Sequence, residues 1–168
     1  PEDEKFIVYH HIAGKMSKAN KKSTNKIRTL FIDSDGTLWV GTDNGLTMRD
    51  KRTRTFKTYV HNADENLSLS NNIVNDILED AEGFLWIATQ NGLNKFDKNS
   101  EEFYSYYNDP ANPHSLSINH VQTLYQDRTN ILWIGTSLGG INKWNRAAEE
   151  LQVFRDRKST RLNSSHYS

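Results

Sequence analysis

The sequence predicts an all-β fold, an incomplete β-propeller of three four-stranded antiparallel blades plus one leading strand. The first reason is a repeat, because the pattern Leu-Trp-Val/Ile-Gly/Ala-Thr occurs at 38–42, 85–89 and 132–136, with both intervals equal to 47 residues. A fixed period of this length indicates a stack of similar units. The second reason is that no segment of ten residues shows apolar side chains at helical spacing, which disfavours a helical repeat, the alternative at this period.

The second copy shows the four strands most clearly. Residues 74–80 are apolar and β-branched and end at a turn, and residues 84–89 form another apolar run. The Asn-Gly pair at 91–92 favours a tight hairpin. Residues 93–97 then alternate apolar and polar side chains, and residues 102–107 make an aromatic fourth strand.

The repeat also divides the chain into consecutive units. Residues 6–11 align with the fourth strand of the next copy, so residues 1–23 are expected to hold the last strand of a preceding blade and a basic inter-blade loop. The expected blades are residues 24–70, 71–117 and 118–155. Since propellers close with about four to eight blades, we expect these three to be part of a larger ring, or else an open arc with two uncovered apolar faces.

The last residues resemble non-biological sequence. All eleven residues of 156–166 match the translation, in one frame, of a common short-read sequencing adapter. We therefore interpret residues 156–168 as an adapter-derived, disordered tail, as in a metagenomic read assembly. A polar disordered tail of biological origin is the alternative, and it also predicts no packed structure there.

Composition excludes several classes of function. The formal net charge is zero, with 21 basic and 21 acidic residues, which argues against nucleic acid as a partner. The chain contains no cysteine, so disulfides and thiolate metal sites are excluded. No run of about 18 apolar residues occurs, so we expect no direct contact of this stretch with a membrane.

Three tryptophans are the predicted structural core of the blades. Trp39, Trp86 and Trp133 each lie on a second strand with apolar neighbours on both sides. A large ring at that place can pack into the layer between adjacent blades, and we expect the three rings in equivalent buried positions. An aromatic platform for sugar rings is the alternative, but such a platform would not need apolar residues on both sides.

Residues 72–97 resemble the two-component regulator propeller repeat, whose pattern is an apolar strand, a D-x-x-G turn, LWIGT and a G-L-N-R/K hairpin. The resemblance covers residues 24–155 in three copies. Departures from the pattern are Ala88 and Asn130, each in place of a glycine, and a loose hairpin strand at 47–49.

This resemblance implies an extracytoplasmic, periplasmic sensor region of two propellers. An immunoglobulin-like domain, one membrane helix and a cytoplasmic histidine kinase would follow, in a homodimeric parent protein. Many such proteins are similar to the hybrid sensors with which gut Bacteroidetes detect oligosaccharides. The implied partners are therefore an oligosaccharide or other small molecule, the remaining blades, and the downstream immunoglobulin-like and kinase domains.

Residues suited to catalysis or metal binding do not form a recognisable pattern. Residues 33–36 resemble the start of a calcium loop, but Asn44, a neutral amide, stands where the bidentate acid is needed. A turn whose aspartate binds its own backbone explains the segment better. The six histidines show no matched carboxylate spacing. We expect no catalytic residue, no metal and no cofactor.

Ligand binding is expected where the loops at 61–71 and 108–118 share a propeller face with the turns between second and third strands. The hypothetical ligand-binding residues are Asn72, Asn119, His61, His114 and Tyr107. Sugar recognition needs amides for hydroxyl groups and aromatic rings for apolar ring faces. For the asparagines, capping of the local backbone is the alternative role.

Three functions remain open at this point. The first is a ligand-sensing module of a transmembrane regulator, without enzymatic activity of its own. The second is a protein-interaction scaffold, because propeller faces commonly bind partners. The third is a polysaccharide lyase or hydrolase, which would need acids or a His-Tyr pair converging on the channel, and the repeats show none.

Overall fold

A computed structural model describes residues 26–145 and 150–154 of the chain. Within these ranges the fold is all-β, with twelve strands in three separate four-stranded antiparallel sheets. The prediction of three propeller blades is therefore confirmed. The leading strand expected at residues 6–11 and the tail expected at 156–168 lie outside the described residues. No helix in the described ranges is long and apolar enough to cross a membrane.

Each blade is built from strands that follow one another in chain order. The first contains β1 (Ile27–Ile32), β2 (Leu38–Thr42), β3 (Gly45–Arg49) and β4 (Phe56–Tyr59). The second contains β5 (Val74–Glu79), β6 (Leu85–Thr89), β7 (Gly92–Asp97) and β8 (Glu102–Tyr106). The third contains β9 (Val121–Gln126), β10 (Leu132–Thr136), β11 (Gly140–Asn145) and β12 (Glu150–Phe154). Strands β1, β5 and β9 contact one another in sequence, which makes them the inner strands of the arc.

The hydrophobic core lies between the blades and not within them. One cluster joins Trp39 of the first blade to residues of the second, and the other joins Trp86 of the second blade to residues of the third. The cluster around Trp39 includes Leu85, Ile87, Phe96 and Phe103 of the second blade. The cluster around Trp86 includes Leu132, Ile134, Trp144 and Leu151 of the third blade. A single blade cannot bury both of its apolar faces, so the stack supplies the core.

An aspartate holds each second-strand tryptophan from the turn before it. The indole Nε1 of Trp86 donates to Asp80 Oδ2 at 2.8 Å, while Asp80 Oδ1 accepts from the backbone amides of Glu82 and Phe84. Asp33 with Trp39 and Asp127 with Trp133 repeat the indole bond at 2.9 and 2.8 Å. The backbone bonds follow the sequence expectation for this turn, whereas the indole bond was not predicted.

The three tryptophans are not equally buried, although the repeat predicts that they are. Trp39 and Trp86 are 2 % and 1 % exposed, but Trp133 is only half-buried. The reason is its place on the outer face of the third blade, against which the described chain packs no further blade. Beside Trp133 on this sheet, Tyr125 and Phe154 are exposed, as Leu30 is on the opposite end of the arc.

Candidate ligand-binding site

Two loops that join an outer strand to the next inner strand share one internal structure. The first crossover loop comprises residues 60–73, and the second comprises residues 107–120. In the first, Ser68 Oγ accepts from the amide of Asn62 at 3.0 Å and donates to its carbonyl at 2.8 Å. Ser115 makes the same pair of bonds with Asp109, each at 2.9 Å. The loops are thus ordered by their own polar side chains.

Each crossover loop lies against the outer strand of the blade that follows it. The amide of Phe103, on β8, donates to the carbonyl of Leu67 at 3.0 Å. The amide of Leu151, on β12, donates to the carbonyl of His114 at 3.1 Å. These bonds satisfy part of an otherwise open sheet edge, which is a liability in β proteins.

A buried asparagine fixes the end of each crossover loop. Asn94 is fully buried on β7, and its Oδ1 accepts from the amide of Ser70 at 2.9 Å and from Ser105 Oγ at 3.0 Å. Its Nδ2 donates to Ser70 Oγ at 2.8 Å. Asn142 binds Ser117 in the same way, at 2.9 and 3.0 Å. The sequence carries a signal for this network, since serine and asparagine recur together in the second and third copies.

The two asparagines predicted to bind ligand use their side-chain oxygens on local backbone. Asn72 Oδ1 accepts from the amide of His61 at 2.7 Å, and the Asn72 carbonyl accepts from Gly45 of the neighbouring blade at 2.7 Å. Asn119 makes equivalent bonds with the amides of Asn108 and Gly92, at 2.6 and 2.7 Å. These side-chain oxygens cap the local backbone, which is the alternative role that the sequence left open.

His61 and Tyr107 line the same cleft, whereas the other predicted residues do not line it. Both line a cleft of about 540 Å³ between the first crossover loop and β8, here named the first rim cleft. Its lining includes His61, Glu65, Asn66, Ser70, Tyr104 and Tyr107, and does not include Asn72, Asn119 or His114. His114 instead lies 3.3 Å, from Nδ1 to Oε2, from Glu150.

A second cleft of about 460 Å³ occupies the matching place between the second crossover loop and β12. It is here named the second rim cleft. Its lining includes Asn108, Asp109, Pro110, Asn112, Pro113 and Val153. The same scaffold therefore forms a recess at both blades, with different side chains around it.

An ionic cluster joins the first two blades at their turns. Lys98 Nζ lies 2.6 Å from Glu79 Oε1, 2.8 Å from Asp35 Oδ2 and 3.5 Å from Asp33 Oδ2. Burial of the ammonium group works to lower the pKa of Lys98, but the hydrogen bonds to Asp35 and Glu79 outweigh it and the pKa is raised. The hydrogen bond from Lys98 in turn lowers the pKa of the Asp35 carboxyl. In the described ranges, no group of histidine, aspartate and glutamate residues could hold a metal ion.

Replacing Lys98 with methionine is expected to lower the free energy of unfolding at pH 7 by about 1 kcal/mol, the upper range for partly exposed ion pairs. Because the folded-state pKa of Asp35 is lowered, its contribution is present above the unfolded value and is lost as pH falls through the folded value. The effect should therefore be smaller at pH 3 than at pH 7. Urea denaturation at both pH values, with the exposed Lys26→Met as control, tests this. An equal effect at both pH values would contradict it.

Comparison with known proteins places these blades in a known group of repeats. Residues 21–44, 68–91 and 115–137 match the family model described as the two component regulator propeller. No curated protein matches the chain.

Three solved structures share the fold. The extracellular domain assigned to a hybrid two component system, BT3049 of B. thetaiotaomicron, has a TM-score of 0.72 and 29 % identity over 82 % of this chain and 19 % of its own. Virginiamycin B lyase of Staphylococcus aureus has a TM-score of 0.59 and 18 % identity, over 82 % and 44 % of the two chains. PorZ, of the type-IX secretion system of Porphyromonas gingivalis, has a TM-score of 0.50 and 22 % identity, over 68 % and 17 %. The last two likenesses are of fold alone.

Proposed function

Because this chain is built from two-component regulator propeller repeats, we propose that it is part of a periplasmic, ligand-sensing region of a two-component regulator. The observation that carries this proposal is the likeness to BT3049, which extends over 82 % of the chain at 29 % identity. That structure is an extracellular domain assigned to a hybrid two component system. The chain spans about a fifth of it, so the function of the whole parent protein is part of the proposal.

The role of these blades is binding and relay, without chemistry of their own. Further blades of the parent propeller would cover the apolar residues at the two ends of the arc, which include Trp133 at one end and Leu30 at the other. Downstream immunoglobulin-like and kinase domains, in a homodimeric parent, would carry the signal across the membrane. In this arrangement the open faces pack against further blades, and the crossover loops bind the ligand.

The proposed ligand is an oligosaccharide that contacts the face formed by the crossover loops. Sugar hydroxyl groups require amide, hydroxyl or imidazole partners, and the apolar faces of the rings favour aromatic side chains. The hypothetical contacts are Asn72, Asn119, His61, His114 and Tyr107. Of these, His61 and Tyr107 are exposed and line one cleft, which supports them most directly.

Calorimetry of the complete extracytoplasmic region of the parent protein, titrated with plant and host glycan fragments, tests the proposal. We expect one class of glycan to bind and Tyr107→Ala to weaken its binding, with Asn72→Ala measured in parallel. If no glycan binds, oligosaccharide sensing is wrong. If a glycan binds and both variants keep the wild-type affinity, these blades are a spacer and the site lies elsewhere in the region.

A further inference from the structure

We propose that the first rim cleft is a binding subsite for an uncharged sugar residue of the ligand. The inference rests on the proposed function and adds to it the location of a binding subsite and the chemical class of the ligand. The place is the outer edge of the second blade, between the first crossover loop and β8. The class is a neutral glycan, without carboxylate or sulfate groups.

The two rim clefts provide an internal comparison, because their scaffolds are the same. In both, a serine orders the loop, a buried leucine anchors it, and a buried asparagine on the third strand binds the next serine. The matching pairs are Ser68 and Ser115, Leu69 and Leu116, Ser70 and Ser117, and Asn94 and Asn142. The same residues therefore order the crossover loop in both clefts. The two clefts differ in the other side chains that line them.

Among the described residues, the lining of the first cleft suits a sugar ring and that of the second does not. Tyr104 and Tyr107 line it and are 44 % and 43 % exposed, so their rings are open to a ligand. Asn66 adds an exposed amide that can donate and accept hydrogen bonds. At the equivalent positions of Tyr104 and Asn66, the third blade and second loop carry Gln152 and Pro113. Proline lacks the hydrogen-bonding amide, and glutamine lacks the aromatic face.

Two groups of the first cleft are held in place before any ligand arrives. The Leu69 carbonyl lies 2.8 Å from His61 Nδ1, and because a carbonyl only accepts, Nδ1 carries the proton. In the neutral ring, Nε2 is then an acceptor for a sugar hydroxyl. Tyr107 packs on Gly92, where a Cβ would come within 2.9 Å of its ring and 3.0 Å of Ser70 Oγ. Preorganised groups reduce the entropic cost of binding.

Charge and size define the class of ligand. Among the described residues, the lining of the first rim cleft includes Glu65 and contains no lysine or arginine. Carboxylate and sulfate groups are normally held by those cations, so a uronic acid or a sulfated sugar would meet a carboxylate with no counter-charge in the lining. The volume of about 540 Å³ is in the range of small-ligand sites.

The test uses the complete extracytoplasmic region, titrated calorimetrically with uncharged fragments (xylo-, arabino-, manno- and cello-oligosaccharides) and acidic ones (oligogalacturonides and heparin fragments). We expect an uncharged fragment to bind, Tyr104→Ala to weaken it about tenfold, and Asn66→Ala to weaken it severalfold. Tyr104→Phe, which keeps the ring, should retain most of the affinity. Gln152→Ala, the change at the position of β12 that matches Tyr104, should have no effect. Circular dichroism melts of each variant show whether it is folded.

Each other outcome contradicts a different part of the proposal: the place of the subsite, the class of ligand, or oligosaccharide sensing as a whole. If an uncharged glycan binds and the folded Tyr104→Ala and Asn66→Ala variants keep its affinity, the cleft is not the subsite and the proposed function stands. If only acidic fragments bind, the ligand class is wrong. If no fragment of either kind binds, this inference and the proposed oligosaccharide sensing both fail.

Discussion

Replacing Trp86 with alanine is expected to lower the free energy of unfolding by about 3 to 5 kcal/mol, the range for emptying a buried aromatic site. The ring is 1 % exposed and lies 5.1 Å from the ring of Trp144 and 5.8 Å from that of Tyr106, centroid to centroid. The change would leave a cavity between the second and third blades. It would also remove the indole donor from Asp80.

Urea denaturation followed by circular dichroism measures this effect. The matched control is Trp133→Ala, which removes the same ring from the equivalent strand of a blade whose outer face is open. Because Trp133 is only half-buried, its loss should cost clearly less than that of Trp86. Equal losses for the two variants, or an unchanged midpoint for Trp86→Ala, would contradict the inter-blade role of the ring.

Asn94→Ala is expected to cost about 2 to 4 kcal/mol, since a buried polar group left without its partner costs about 1 to 3 kcal/mol and more than one is affected here. The change removes the acceptor of the Ser70 amide and of Ser105 Oγ, and the donor to Ser70 Oγ. The side chain of Asn94 is fully buried, so water cannot readily replace it. The end of the first crossover loop should loosen as a result.

Native-state hydrogen exchange at the Ser70 amide tests the local effect, and urea denaturation tests the global one. We expect faster exchange at Ser70 together with lower stability. Asn66→Ala, an exposed amide in the same loop, is the control and should change stability by no more than about 0.5 kcal/mol. Protection of Ser70 that stays as in the wild type would show that the loop does not depend on this asparagine.

The fold was predictable because its determinants are local and occur three times. The second blade was expected to begin with a strand at 74–80, and the structure has it at Val74–Glu79. Asn130, which replaces a turn glycine, adopts a φ of 61° at the place where Gly83 has 86°. Asparagine tolerates this conformation better than other non-glycine residues, so the substitution did not disturb the turn.

The candidate site was less predictable, because it depends on contacts between distant parts of the chain. Nothing local to the sequence shows that Leu67 binds the edge of β8, which is what closes the first rim cleft. One signal was available for the histidines. His61 and His114 are not one repeat apart, and the position that matches His61 is Asn108. The structure accordingly places the two histidines in different surroundings, one bonded to Leu69 and the other near Glu150.

Burial of Trp133 could not be read from the repeat either. The same residue in the same strand is buried in the first two blades because another blade covers it, and the third blade has an open face in the described chain. The position of a residue within the repeat therefore predicts on which face of the blade its side chain lies. Whether that side chain is exposed depends on the neighbouring blade.

The first crossover loop leaves the first blade but bonds to the outer strand of the second, through Leu67 and Phe103. In a stack with nearest-neighbour coupling, local opening should start at units with one neighbour and reach the middle unit last. The first blade, however, cannot detach without stripping this loop from β8. The second crossover loop bonds to β12 in the same way, through His114 and Leu151, so neighbouring blades should open together as a cooperative unit. A ligand in the first rim cleft would contact both sides of the joint between the first crossover loop and β8, and would raise the free energy of opening it by mass action.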